Sequence, residues 1–130
     1  MSSLQDLYVD DEPDIREIAA LALGLDPEIS VRLAEGGVQA LAAVDGEDWR
    51  PDAILLDVMM PVMDGPAVLR ALREQPRSAA IPIVFITART QSQDRQRLLQ
   101  LGAVGVISKP FDPMTLAREL RAVLSAEPVA

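Results

Sequence analysis

Six residues stand out for the chemistry they could do together. Asp10, Asp11 and Glu12 follow one another, Asp57 ends a short apolar run and Thr87 ends a second. Lys109, the only lysine beside eleven arginines, ends a third. Carboxylates, a hydroxyl and an ammonium are groups that handle hard cations and anionic oxygens. Three carboxylates drawn close together repel by about 4 kcal/mol per pair at ~4 Å and an effective dielectric near 20. Protonation or a cation must offset that. Oxygen ligands suit Mg²⁺, with Mn²⁺ as an alternative, and the chain has neither cysteine nor histidine to offer a softer ligand. With the lysine added, such a site would be nearly neutral and ready for an anionic phosphoryl group.

Taken singly, each of these residues has an ordinary explanation. An acidic run such as "DDEP" favours a helix N-terminus. Asp57 and Thr87 could be turn residues, and a lone lysine is usually a solvated charge. Independent caps have no reason to converge on one edge of a fold, so the elements that carry the six decide the matter.

Four apolar runs, "LYV" (7–9), "AILL" (53–56), "IPIVFI" (81–86) and "VGVI" (104–107), lack alternation, as strands buried on both faces of a parallel sheet do. "ISVRLA" (29–34) alternates and predicts an edge strand. Helical patterns lie between them. Ile15, Ile18, Ala19, Ala22 and Leu25 predict an apolar stripe on the first helix. "GGVQALAAV" predicts a short second helix. Pro66 suits the first turn of a third, with Val68, Leu69 and Leu72 inward. "SQDRQRLLQLG" predicts a fourth, capped at Gly102. Asp112 and Pro113 predict the N-cap and first residue of a last helix that buries Leu116, Leu120, Val123 and Leu124. Strand and helix alternate five times, which predicts a parallel sheet with helices on both faces. In such a sheet ligands gather outside the carboxyl ends of the strands, and the six residues fall there.

The chain has 130 residues, nearly half of them hydrophobic, which predicts a single domain over 1–130 with its core from about 4 to 124. The tail "SAEPVA" leaves little room for a second, and the N-terminal methionine and complete last helix favour a natural length. A net charge of −8 disfavours direct contact with nucleic acid or an anionic membrane. The start of the chain lacks the pattern of a secretory signal, so a cytoplasmic location is expected.

The motifs "YVDDE" (8–12), "LLDVMMPVMDG" (55–65), "FITA" (85–88) and "SKPF" (108–111), in this order and spacing, resemble the receiver domain of bacterial two-component response regulators. The resemblance covers almost the whole chain. It implies a flavodoxin-like (βα)5 fold, a doubly wound parallel five-stranded sheet in the order 2-1-3-4-5; a member of this family is a standard example of that order. It implies that Asp57 is the phosphoacceptor, fed from a histidine of a sensor kinase or phosphotransfer protein. Asp10, Asp11, Asp57 and the backbone carbonyl of Met59 would hold Mg²⁺. Thr87 and Lys109 would bind phosphoryl oxygens, and Pro110 would follow a cis peptide bond. Beyond its own phosphorylation and dephosphorylation such a domain is not an enzyme. Its downstream protein target would meet the face formed by the fourth helix, fifth strand and fifth helix.

Phosphoryl transfer rests on positioning and charge neutralisation, and a carboxylate nucleophile needs no deprotonation at neutral pH. The resemblance implies that the histidine this chain lacks is supplied by the partner. Met59 and Arg89 border the phosphoryl position as candidate modulators. Two residues depart from the family pattern. Val106 stands where receivers commonly carry an aromatic switch residue, so either the fourth helix signals by other movements or the phosphoryl group is passed onward. Tyr8 stands where small aliphatics are usual, and the sequence offers no account of it. A receiver-like docking module that works without phosphorylation is the alternative function. A phosphatase resembling the haloacid dehalogenase family is a weaker one, because Met59 replaces the second acid it would need.

Overall fold

The computed structural model describes residues 3–46 and 48–125. Five strands and five helices alternate: β1 (Leu4–Val9), α1 (Pro13–Leu23), β2 (Ile29–Ala34), α2 (Gly37–Asp45), β3 (Ala53–Asp57), α3 (Gly65–Arg73), β4 (Ile83–Thr87), α4 (Ser92–Gln100), β5 (Gly105–Ser108) and α5 (Leu116–Ser125). All strand pairs are parallel, and the order is β2-β1-β3-β4-β5. This is the flavodoxin-like sheet that the motifs imply.

The pattern of the strands explains the layering. β3 and β4 are buried along their whole length, since helices cover both faces. One apolar layer joins the sheet to α2, α3 and α4 through Ala40, Val44, Leu69, Leu72 and Leu98. The other joins it to α1 and α5 through Ala19, Leu23, Leu116 and Leu120. Each fully buried Leu, Ile or Phe contributes roughly 1.5–3 kcal/mol, so the two layers together fix the sheet. β2 is the edge, as its alternation predicts, and Arg32 on it stacks over Trp49 at 4.3 Å.

Several local features follow the sequence closely. Asp64 Oδ1 accepts the Ala67 N–H at 2.9 Å and caps α3. Gly102 takes φ +115° just beyond α4, and the Gly102 and Ala103 N–H groups close back on Leu99 and Leu98. That is a Schellman ending, for which glycine carries no Cβ penalty.

Three expectations need correction. The buried stripe of α1 contains Ala19, Ala22 and Leu23, while Ile18 and Leu25 are 42% and 59% exposed. Leu25 lies past the helix end, and Ile18 flanks the buried face instead of facing the sheet. The last helix starts at Leu116, not Pro113. Asp112 there caps a tight turn through the Met114 N–H at 2.9 Å, and its carbonyl accepts from Thr115 and Leu116. Val123 and Leu124 face inward as expected, half-buried against the layer of Leu116 and Leu120. β1 also begins earlier than its apolar run, at Leu4. Residues 126–130 of the tail lie outside the described residues.

Candidate functional site

The carboxyl ends of β1, β3, β4 and β5 meet at one rim. Just past the end of β1 Asp10 donates its N–H to the Ala34 carbonyl at 3.1 Å, and the chain then turns into α1, opened by Pro13. Asp10 is fully buried, and the groups around it hold it from several sides. Its Oδ1 accepts the Glu12 N–H at 3.0 Å and its carbonyl accepts Arg16 Nη1 at 2.8 Å. Its Oδ2 accepts Lys109 Nζ at 2.9 Å and the Tyr8 hydroxyl at 3.1 Å.

Asp57 ends β3 and is 4% exposed. The loop behind it leaves and returns within a few residues. Gly65 closes this loop by donating its N–H to Val58 at 2.8 Å. A Cβ on Gly65 would lie 2.6 Å from the Asp57 carbonyl, so only glycine permits this approach. The outer part of the loop carries Met59, 65% exposed, and a γ-turn at Val62 closed by the Met63 N–H on the Pro61 carbonyl at 2.7 Å.

Thr87 ends β4, nearly buried, and its Oγ1 accepts the Arg89 N–H at 3.0 Å. Lys109 follows β5; its backbone N–H bonds the Thr87 carbonyl at 2.9 Å, and the Lys109–Pro110 peptide is cis. The Lys109 ammonium lies 2.9 Å from Asp10 Oδ2, 3.5 Å from Asp57 Oδ2 and 3.7 Å from Glu12 Oε1. Residues 99 positions apart are thereby joined across the sheet.

Asp10, Asp11 and Asp57 each offer an oxygen within 4.8 Å of the others. Burial and the Asp10 charge raise Asp57 to about 6, against the opposing pull of Lys109. The site therefore holds more negative charge than one ammonium neutralises. That excess and the all-oxygen donor set fit a hard divalent cation. Partial burial pulls Lys109 down, but the hydrogen bond to Asp10 and the charges of Asp57, Asp10 and Glu12 outweigh it and push it up. Lys109 stays an ammonium.

A cleft of ≈ 530 Å³ opens over this rim, and Asp57, Met59, Thr87, Arg89 and Lys109 all line it. The residues expected at the site are thus brought together, with two distinctions. Asp10 is wholly buried and does not line the cleft. Val106 is not at the cleft: it is 6% exposed, packed in the layer under α3 and α4 and in register with Phe85.

Tyr8, unexplained by the sequence, is fully buried with its hydroxyl on Asp10. Burial, and then the Asp10 charge, push its phenol far above the ordinary value, so it is a neutral donor. The period of a strand could have found it, because Tyr8 and Asp10 are two residues apart and share a face. Asp6, one step further along that face, is fully buried with neither carboxylate oxygen hydrogen-bonded.

The family model for the response regulator receiver domain matches residues 7–121. The chain is 36% identical over 121 residues to response regulator Rre1 of a Synechocystis strain, covering 93% of this chain and 52% of that protein. It is 39% identical over 118 residues to the phosphate regulon transcriptional regulatory protein PhoB of Pseudomonas aeruginosa, covering 91% and 50%. It thus spans about half the length of these two curated relatives. Among solved structures, chemotaxis response regulator CheY4 of Vibrio cholerae superposes with a TM-score of 0.83 at 35% identity, covering 94% of this chain and 99% of that one. The signal receiver domain of a signal transduction histidine kinase from Syntrophus aciditrophicus gives 0.78 at 30% identity, covering 98% of each.

Proposed function

The chain belongs to the response regulator receiver domain family, and on that premise we propose that Asp57 accepts a phosphoryl group from a phosphohistidine of a sensor kinase or phosphotransfer protein. The observation that carries this reading is the setting of Asp57: a nearly buried carboxylate at a strand end, grouped with Asp10 and Asp11 and 3.5 Å from the Lys109 ammonium. An Asp57 oxygen forms the new P–O bond. The P–N bond of the donor breaks, and its electron pair returns to the imidazole nitrogen.

Asp10, Asp11, Asp57 and the Met59 carbonyl would hold Mg²⁺, which when bound neutralises charge on the transferring oxygens. The chain's own groups do the rest. Lys109 turns from Asp10 toward a phosphoryl oxygen, a short movement because its ammonium already lies between the two acids. The Thr87 hydroxyl receives another oxygen. Met59 and Arg89, at the mouth of the cleft, set how readily water reaches the phosphoryl group.

The output is a change in protein binding at the face of α4, β5 and α5. The net charge of −8 supports protein partners for this domain; the DNA binding in relatives' names belongs to proteins about twice its length. This reading places the chain in the cytoplasm, and no helix among the described residues is long and apolar enough to cross a membrane. The buried aliphatic Val106 favours a second reading, a docking module that works without phosphorylation.

Intact mass after incubation with acetyl phosphate and Mg²⁺ separates the two. One added phosphoryl group, absent in Asp57→Asn and in a chelator control, is the expected result. No adduct under any condition leaves the docking module.

A further inference from the structure

The Tyr8 hydroxyl and the Lys109 ammonium donate to the same oxygen, Asp10 Oδ2, at 3.1 and 2.9 Å. The two donors differ in freedom. Lys109 also faces Asp57 and Glu12, is partly exposed and sits on a flexible stem. Tyr8 is wholly enclosed between the sheet and the layer of α1 and α5, with its ring fixed by packing. The other groups on Asp10 are the Glu12 N–H on Oδ1 and Arg16 on the backbone carbonyl. When Lys109 turns to a phosphoryl oxygen, Oδ2 keeps one donor only if Tyr8 supplies it.

We infer that Tyr8 is a positioning residue: its neutral hydroxyl fixes the Asp10 carboxylate for the cation and keeps it satisfied when Lys109 leaves. This rests on the phosphoacceptor reading. A neutral donor suits the place, since a second cation would compete with the metal ion for Asp10. Donors to a ligating carboxylate commonly carry 10–100-fold of metal affinity.

The test uses the whole chain. Mg²⁺ is titrated calorimetrically into wild type and Tyr8→Phe, with thermal melts in chelator as a check on folding. The expected result is a Kd for Mg²⁺ about tenfold weaker in Tyr8→Phe at matched stability. Phenylalanine in an apolar layer would leave the Kd unmoved if the ring acted only by packing. A second measurement needs no variant. The chain has one tyrosine, so its Raman ring doublet reports on Tyr8 alone. That doublet shifts over the Mg²⁺ range that saturates the calorimetric signal.

Equal Mg²⁺ affinity in the two proteins overturns the inference and leaves the phosphoacceptor reading intact. Should Tyr8→Phe fail to fold, an unshifted wild-type doublet overturns it alone. Wild type that binds no Mg²⁺ overturns both.

Discussion

Lys109 and Asp10 form an ion pair at 2.9 Å that joins the end of β5 to the end of β1 across the intervening β3 and β4. The ammonium is the apex of three carboxylates, with Asp57 at 3.5 Å and Glu12 at 3.7 Å. A compact point charge can turn between them, whereas a guanidinium is a broad planar fork. This gives a physical reason for a chain of eleven arginines to keep one lysine here. Lys109→Ala is expected to slow labelling by acetyl phosphate on the order of 10²-fold, the usual loss for a charge-stabilising donor. Lys109→Arg should also slow it and should fail to restore wild-type behaviour. Wild-type labelling by the arginine variant would remove the shape argument.

Asp57 gives a pH dependence with a definite sign. Its folded value of about 6 lies above the ~3.9 of an unfolded aspartate. The folded state therefore holds the proton more tightly between those values. The stability contributed by Asp57 is fully present below ~3.9 and is lost as pH rises through about 6. Asp57→Asn should melt higher than wild type in chelator at pH 8, and the gain should vanish near pH 4. Mg²⁺ should raise the wild-type melt at pH 8 more than that of the variant, since an ion held in part by Asp57 would stabilise the folded state. Differential scanning calorimetry at the two pH values reads all of this.

Asp6 is a liability within the core. It is fully buried on β1 with both oxygens unpaired, and burial pushes its carboxyl well above the usual range. The same sign applies: the stability it contributes below ~3.9 fades as pH rises toward its folded value. Asp6→Val places a strand-favouring apolar side chain in the same layer. Urea denaturation at pH 7 should show a gain of about 1–3 kcal/mol, the cost of an unsatisfied buried polar group. The gain should be smaller near pH 4. Unchanged or lower stability at pH 7 would mean that Asp6 has a partner or a role in the folded state.

Much of this was legible in the chain. Unbroken apolar runs separated by helical periods forced a parallel sheet, and parallel sheets put their strand ends on one rim. Asp10, Asp57, Thr87 and Lys109 each end or follow such a run, so the topology alone gathers them. The local misreadings have physical causes. The start of β1 was hidden because Asp6 interrupts its apolar pattern with a charge that strands seldom bury. Ile18 looked inward because hydrophobic spacing cannot tell the centre of a helix face from its flank. That Tyr8 and Asp10 share a strand face could be read from their spacing, but the hydrogen bond between them depends on where the phenol points.

Gly65 tests how closely the loop behind Asp57 controls the site. Its missing Cβ would meet the Asp57 carbonyl at 2.6 Å, the Val58 Cα at 2.9 Å and the Phe85 ring at 2.9 Å. Two of these are backbone atoms of the strand end itself, and Phe85 is fully buried, so none can yield cheaply. Gly65→Ala must push β3 away from α3 or unwind the first turn of that helix. The expected cost is about 1–3 kcal/mol, typical of overpacking, together with slower acetyl phosphate labelling even where the variant remains folded. Gly46→Ala is the control, since nothing lies within 4 Å of a Cβ there. It should leave labelling unchanged and stability within about 0.5 kcal/mol. If Gly65→Ala loses stability but labels at the wild-type rate, Asp57 tolerates movement of its strand end, and the geometry of the rim is set by β1 and β5 alone.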